Sequence, residues 1–303
     1  MTLKTLLTST CLLLLSIPAL ASPLVSTQWL EAHLEDPKVR IFEVSVVPEQ
    51  FDMGHIPGAF NLDWHTDLVD RIRRDIVSRD DLQTLLQRAG VNRDTTFVLY
   101  GDNHNWFAAW GVWILDLYGV DNVKLLDGGR IKWELEGRPL TRVSQQTRNM
   151  GNIELQPADE RYRARLQDVV AVAEGKTDAA LLDIRSPDEY QGRVIAPPGS
   201  LELSMRAGHI PGAVNVPWSR VVNEDGTFRA IDDLRALYAD VGITGNKPVI
   251  TYCRIGERSS HSWFVLKKLL GYDARNYDGS WTEYGNSIGV PIDNPAGTLW
   301  RGL

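Results

Sequence analysis

Apolar and polar positions along the chain switch repeatedly between strand-like and helix-like patterns. Short runs at 179–184 and 249–252 predict buried strands, and 274–277 predicts a further strand. The amphipathic segment 232–241 predicts a helix between the first two strands, and a later helical stripe ends at Gly271, a residue type common at helix ends. This alternation predicts an α/β fold with a mainly parallel sheet covered by helices on both faces.

The same markers occur twice, which indicates a duplicated domain. The motif Gly-His-Ile-Pro-Gly-Ala at 54–59 returns at 208–213, an offset of 154 residues. An apolar run ending in tyrosine at 96–100 returns at 248–252, an offset of 152 residues. A helical stripe of tryptophans from Trp106 follows the first run, as a helical pattern follows the second. We therefore expect a first domain at 22–141, a polar linker at 142–160 and a second domain at 161–303.

The segment 1–21 has the pattern of a secretory signal peptide. Lys4 precedes an uncharged, mostly apolar stretch at 5–20, and an Ala-x-Ala site ends at Ala21. At about 16 residues this stretch is shorter than the roughly 20 of a membrane span, so an uncleaved anchor is the weaker alternative. We expect the mature chain to be exported, to the periplasm.

Composition excludes several classes of protein. With 303 residues, 43% of them hydrophobic and 23% charged, the chain is neither collagen-like nor disordered. A net charge of −7 argues against nucleic-acid binding, since a phosphate-binding surface normally leaves a basic excess. The two cysteines are too few for a disulfide framework, and signal cleavage would leave only Cys253. The sequence holds no cluster with metal-ligand spacing.

Cys253 follows a predicted strand directly, at the end of the sheet where such folds bind ligands. A helix is expected to start near Ser259, and the intervening loop reads Cys253-Arg254-Ile255-Gly256-Glu257-Arg258-Ser259. Backbone N–H groups curling into a helix N-terminus form an anion site, and Arg254 and Arg258 add positive charge. Gly256 permits a tight turn. Because such surroundings favour a thiolate, we assign Cys253 as a nucleophile that holds an anion beside itself.

The length of this loop favours sulfur transfer over phosphoryl transfer. Phosphatases with a cysteine nucleophile carry the pattern C-x5-R, whereas this chain has Ser259 at the arginine position and Arg258 one residue earlier. The shorter loop makes a tighter cradle, which suits a single sulfur atom better than a tetrahedral phosphoryl group.

Two motifs resemble the signatures of the rhodaneses: Phe51-x3-His55-Ile56-Pro57-Gly58-Ala59 and Tyr277-Asp278-Gly279-Ser280-Trp281-Thr282-Glu283-Tyr284. The loop after Cys253 is similar to that of bacterial thiosulfate sulfurtransferases. The resemblance spans nearly the whole mature chain. It implies two tandem rhodanese-like domains, each a mainly parallel sheet flanked by helices, with a site at their interface. Only the second domain is expected to be catalytic, because Gly101 follows the first domain's strand where the nucleophile would stand.

The resemblance also implies roles for particular residues. Cys253 is expected to be catalytic, and the substrate is expected to contact Arg254, Ile255, Gly256, Glu257, Arg258 and Ser259. Asp183 and Arg185 are expected to support the site from behind, and Trp106 or Phe107 to cover the pocket from the first domain. Ile255 departs from the vertebrate enzyme, which has lysine at that position. His55 and His209 are interpreted as structural residues of their turns, and His261 as a packing or capping residue.

These expectations predict a thiosulfate sulfurtransferase that passes sulfur through a Cys253 persulfide to cyanide or a small thiol. It would need no metal or organic cofactor, bind neither nucleic acid nor, after signal cleavage, a membrane, and act as a monomer. One alternative is a 3-mercaptopyruvate sulfurtransferase, against which Arg254 argues because such relatives have C-G-S-G-type loops. The other is a persulfide carrier for a partner protein. Phosphatase activity ranks behind both.

Overall fold

The computed structural model describes residues 22–47, 49–145, 147, 149–197, 199–200 and 203–299. The predicted signal peptide at 1–21 lies outside the described residues. Among the residues that are described, no helix is both long and apolar enough to cross a bilayer.

The first domain is built on a five-stranded parallel sheet in the order β1-β5-β4-β2-β3. Its strands are β1 Leu24–Val25, β2 Val39–Glu43, β3 Ala59–Asn61, β4 Thr96–Tyr100 and β5 Val123–Leu126. Its α-helices are α1 Thr27–Ala32, α2 Gln50–Met53, α3 Arg79–Arg88, α4 Trp106–Leu117 and α5 Gly129–Leu135. The central strands are almost continuously buried because helices cover both faces of the sheet.

The second domain repeats this topology with a four-stranded parallel sheet in the order β7-β6-β8-β9. Its strands are β6 Ala180–Asp183, β7 Val214–Asn215, β8 Val249–Tyr252 and β9 Ala274–Asn276. Its α-helices are α6 Leu166–Ala173, α7 Pro187–Tyr190, α8 Ile231–Ala239, α9 Glu257–Phe264 and α10 Ser280–Tyr284. The predicted fold class, two tandem domains with parallel sheets flanked by helices, is confirmed.

The two domains pack through equivalent helices, α4 and α9, and share one apolar core. Around that core, Lys268 Nζ lies 2.7 Å from Asp116 Oδ2, and the indole N–H of Trp113 donates to Tyr162 O at 2.9 Å. These contacts fix the first domain against the second.

The described residues of the predicted linker at 142–160 run along the surface of the first domain. The N–H of Gly151 donates to Gln87 O at 2.7 Å, and the N–H of Ile153 donates to Val91 O at 3.2 Å. Leu155 is buried there as well. The connection between the domains is therefore pinned to the first of them by backbone hydrogen bonds and apolar packing.

Candidate active site

Cys253 lies immediately after β8 and has no exposed surface. The loop behind it turns back so that the N–H of Gly256 donates to Cys253 Sγ at 3.1 Å. Helix α9 begins at Glu257, earlier than the predicted start near Ser259, because Gly256 in a left-handed conformation already caps it. A backbone N–H at a helix N-terminus thus points at the only cysteine of the described chain.

Glycine at position 256 is required by two separate constraints. Its φ of +100° lies in the region that residues with a Cβ avoid, and a Cβ there would lie 2.2 Å from Asp278 O. The sequence predicted the tight turn at Gly256. Asp278 follows β9, and its close approach to Gly256 is seen only in the tertiary structure.

Ser280 holds the other side of Cys253, and the sequence reasoning did not identify it. The N–H of Cys253 donates to Ser280 Oγ at 3.0 Å, and that hydroxyl donates to Tyr277 O at 2.8 Å. Ser280 has a φ of +51°, a left-handed conformation in which the first domain has Gly129. The signal in the sequence that could have revealed it is that Ser280 stands where the first copy of the motif has Gly129.

The distal end of the loop is braced from β9. Asn276 Nδ2 donates to Gly256 O at 3.1 Å, and the buried Ser259 hydroxyl lies 2.8 Å from the same carbonyl. At the near end, Thr282 donates to Arg254 O through its N–H at 2.9 Å and its hydroxyl at 2.8 Å. The Arg254 side chain is half-buried. The loop backbone is therefore held at both ends, and the substrate contacts assigned to its residues stay predictions.

Arg258 is paired within the second domain and also contacts the first. Its guanidinium lies 3.6 Å from the buried Glu189 carboxylate and sits over the ring of Trp106, 5.6 Å from the centroid. Trp106 in turn meets Trp218 edge to face at 4.5 Å. Trp106 thus lies beside the loop that carries Cys253. Trp218 and Glu189 lie there as well, and the sequence reasoning missed both.

A first-domain arginine, Arg74, reaches the loop directly. Its Nη2 donates to Ile255 O at 3.3 Å and to Glu257 Oε1 at 3.1 Å, and the residue lines a cleft of about 450 Å³ between the domains. Burial raises the pKa of Glu257 to about 7, and the charge of Arg74 opposes that increase. No local pattern could reveal this contact, because 183 positions separate Arg74 from Glu257.

Asp183 and Arg185 form a fully buried pair behind the loop. Arg185 Nη2 lies 2.6 Å from Asp183 Oδ2, and the guanidinium stacks on Trp281 at 4.5 Å. The N–H of Trp281 donates to Cys253 O at 3.0 Å. Trp281 therefore links the pair to the residue that carries the nucleophile, and the supporting role of the pair stays a prediction.

The histidines singled out in the sequence lie in structural settings. His55 and His209 bond Phe51 O and Tyr190 O through Nδ1 at 3.0 and 2.7 Å, and each ring stacks on the same neighbour. His261 is buried in α9 with its ring 4.9 Å from that of Phe228, and burial lowers its pKa to about 3. In the described part of the chain, no group of His, Cys, Asp and Glu is arranged to hold a metal ion.

The equivalent loop of the first domain is occupied by a carboxylate. Asp102 accepts hydrogen bonds from the N–H groups of Val46 at 2.6 Å and Val47 at 3.1 Å, and Gly101 precedes it where β4 ends. With no thiol and with this carboxylate tied to backbone donors, the first domain cannot repeat the chemistry of Cys253.

The family model for the rhodanese-like domain matches this chain twice, at residues 26–136 and 166–287. The chain belongs to the rhodanese-like domain family. The resemblance drawn from the sequence motifs is thereby confirmed, including its tandem arrangement.

Curated relatives extend over nearly the same length. The chain is 51% identical over 89% of its length to the "Sulfur carrier protein TtuD" of Thermus thermophilus, covering 95% of that protein. It is 50% identical over 89% of its length to the "Putative thiosulfate sulfurtransferase" of Mycobacterium tuberculosis, covering 97% of that protein.

Solved structures share the fold. SseA from Escherichia coli, described among 3-mercaptopyruvate sulfotransferases, superposes with a TM-score of 0.73 at 26% identity, covering 86% of this chain and 99% of SseA. An anaerobic ergothioneine biosynthesis enzyme from Chlorobium limicola gives a TM-score of 0.75 at 24% identity, covering 89% of this chain and 70% of that enzyme. The second likeness concerns the fold alone.

Proposed function

We propose that this rhodanese is a thiosulfate sulfurtransferase that works through a persulfide on Cys253. The observation that carries the proposal is the hydrogen bond from the N–H of Gly256 to Cys253 Sγ, at the junction of a strand end and a helix N-terminus. A donor aimed at this sulfur stabilises negative charge on the thiolate and on the persulfide that replaces it. The family and the relatives named as sulfurtransferases support this reading.

The reaction has two displacement steps. The Cys253 thiolate attacks the outer sulfur of thiosulfate, the S–S bond of the donor breaks, and sulfite leaves with the electron pair. Cyanide or a small thiol then attacks the outer persulfide sulfur, and Cys253 leaves as a thiolate. Because Cys253 has no exposed surface, side chains around the loop must move before the donor reaches it.

Intact mass spectrometry tests the covalent step. After incubation with thiosulfate, the protein should gain about 32 Da, one sulfur atom, and lose it on addition of cyanide. Cys253→Ser should show neither change and should form no thiocyanate. Thiocyanate formation by that variant would contradict the mechanism.

Arg254 is the residue we assign to the dianionic donor, because it directly follows the nucleophile and its half-buried side chain starts from a backbone that Thr282 holds. Arg254→Ala should raise KM for thiosulfate about tenfold or more and change KM for an uncharged sulfur donor much less. Equal effects on both donors would remove this assignment. The other loop residues, from Ile255 to Ser259, would shape the pocket through their backbone.

The likeness to SseA keeps 3-mercaptopyruvate as a second donor candidate. The ratio of kcat/KM for thiosulfate and mercaptopyruvate, measured on one preparation, decides between the two. The name of the Thermus relative supports a third possibility, a persulfide carrier for an acceptor protein. Fast loading of persulfide with negligible turnover on small acceptors would favour the carrier.

We also propose that residues 1–21 direct export and that the mature protein is a periplasmic monomer. The signal-like pattern around Lys4 and Ala21 supports export. The two fused domains already form the interface beside Cys253, which supports a monomer. The mass of the protein recovered from the periplasmic fraction tests the cleavage after Ala21, and light scattering tests the monomer.

A further inference from the structure

A hairpin-like finger of the first domain, residues 69–76, touches the loop that carries Cys253. An antiparallel bridge between Val69 and Ile76 closes its base, and the N–H of Asp70 donates to Asp75 O at 2.7 Å. At its tip Arg74 has a φ of +58°, a conformation uncommon for residues other than glycine. A strained residue held by internal hydrogen bonds is a fixed support for the side chain it carries.

Arg74 donates hydrogen bonds to the two residues on either side of Gly256. Its guanidinium donates to the carbonyl of Ile255 at 3.3 Å and to the carboxylate of Glu257 at 3.1 Å. Between these two contacts lies the N–H of Gly256, which donates to Cys253 Sγ. The carbonyl of Ile255 and the N–H of Gly256 belong to one peptide group, so the bond from Arg74 to that carbonyl fixes the direction of the N–H.

A second link joins the finger to the same turn. Asp75 pairs at 2.6 Å with Arg163, which also pairs at 2.6 Å with Asp278. The carbonyl of Asp278 lies directly below the Cα hydrogens of Gly256, where a Cβ would meet it at 2.2 Å. The finger thus supports the turn from two directions.

We propose that Arg74 is a positioning residue, through which the non-catalytic domain aligns the N–H of Gly256 with the sulfur of Cys253. The inference rests on the proposed sulfur transfer and adds a role for the first domain in it. Arg74 acts through Ile255 and Glu257 and makes no contact with the reacting sulfur. The ion pair requires an ionised Glu257, whose side chain is 2% exposed.

The ion pair between Arg74 and Glu257 makes the alignment of the Gly256 N–H with Cys253 Sγ depend on pH. The charged groups that face Glu257 are Arg74 and Arg254, which favour its ionisation, and Asp278, which opposes it. Burial dominates and raises the pKa of Glu257 to about 7, so acidification through neutrality protonates the carboxyl and weakens its bond to Arg74. Loss of the Arg74 charge should move this protonation to higher pH.

The test compares Arg74→Gln, Arg74→Lys and Glu257→Gln with Arg73→Gln, a matched control whose exposed side chain pairs with Asp70. Thiocyanate formation is followed between about pH 5.5 and 9. Arg74→Gln should lower kcat about tenfold with KM nearly unchanged and move the acid limb of kcat up by about one pH unit. Arg74→Lys should recover most of kcat, and Glu257→Gln, which cannot form the ion pair, should lower kcat about as much as Arg74→Gln. Arg73→Gln should match the wild type.

A second readout keeps this test separate from the proposed activity. The thiolate absorbance at 240 nm, corrected with Cys253→Ser, is titrated in the wild type and in Arg74→Gln. At the same pH the thiolate absorbance should be lower in Arg74→Gln than in the wild type, because a misaligned N–H stabilises the thiolate less. A wild type that forms neither thiocyanate nor persulfide would contradict the sulfurtransferase and leave the titration to decide on Arg74. An Arg74→Gln profile and thiolate absorbance equal to those of Arg73→Gln would overturn the inference.

Discussion

The guanidinium groups of Arg130 and Arg185 occupy equivalent positions in the two domains, although the two residues come from different elements. Each guanidinium pairs with a buried acid at the end of an equivalent strand, Glu43 or Asp183. Each also donates to the carbonyl of the glycine that opens the Gly-His-Ile-Pro-Gly-Ala turn. Arg130 comes from α5, whereas Arg185 follows β6. The pair and its carbonyl partner recur in both domains through different residues.

Arg185→Met should destabilise the protein strongly. The substitution leaves the Asp183 carboxylate buried without its partner, which should lower the free energy of unfolding by about 3–5 kcal/mol. Urea unfolding followed by fluorescence measures the change. The double variant Asp183→Leu with Arg185→Met is the control and should recover most of the loss, because no charge is left buried. Equal stability of the single and double variants would contradict the pairing.

Gly256→Ala should abolish most activity through the position of one peptide group. The added Cβ meets Asp278 O at 2.2 Å, so the turn must shift and the N–H leaves Cys253 Sγ. We expect kcat/KM for thiosulfate to fall by about 100-fold. Gly242→Ala is the matched control, since its φ is +82° and nothing lies within 4 Å of the added Cβ. That variant should lose about 1 kcal/mol of stability and keep its activity. Similar activity of the two variants would disprove the contact.

Ser280 has a strained, left-handed backbone, and its hydroxyl accepts a hydrogen bond from the N–H of Cys253. Ser280→Ala removes the acceptor of the Cys253 N–H and keeps the left-handed backbone, so kcat/KM should fall about tenfold. Ser280→Gly should lower kcat/KM by the same factor. Its free energy of unfolding should exceed that of Ser280→Ala by about 1 kcal/mol, because glycine relieves the backbone strain. Thermal unfolding and steady-state kinetics measure the two effects. Full activity in Ser280→Gly would show that the hydroxyl is dispensable.

His261 should make the folded protein sensitive to acid. Its pKa is about 3 in the folded chain, below the ordinary value of about 6.5, so the unfolded chain binds a proton that the folded chain does not. Below about pH 6.5 this lowers the free energy of unfolding, by up to about 1.4 kcal/mol for each pH unit until the folded-state pKa is reached. Above about pH 6.5 the contribution is constant.

The variant His261→Phe tests this in unfolding titrations between about pH 4 and 8. Its free energy of unfolding should decline less than that of the wild type as the pH decreases. His65→Gln, at an exposed histidine, should follow the wild type. Parallel curves for His261→Phe and the wild type would show that the imidazole is not kept neutral by burial.

Some features of the site were readable locally. Cys253 directly after a strand, Gly256 three positions later and a helix behind them are features of one continuous segment, whose conformation depends on neighbours in the sequence. The pairing of Asp183 with Arg185 likewise spans two positions. The missing thiol after β4 was equally visible, since Gly101 stands in its place.

The sequence by itself determined the duplicated parallel α/β fold. Strand and helix periodicities are local patterns, and so is the repeated Gly-His-Ile-Pro-Gly-Ala turn. Only the tertiary structure decided which side chains meet at Cys253. It placed Arg74 on Glu257 and Trp218 on Trp106, and it turned Arg258 toward Glu189. The packing of α4 on α9 brings Arg74 and Trp106 of the first domain to the second, and contacts between distant segments leave no periodic mark in the sequence.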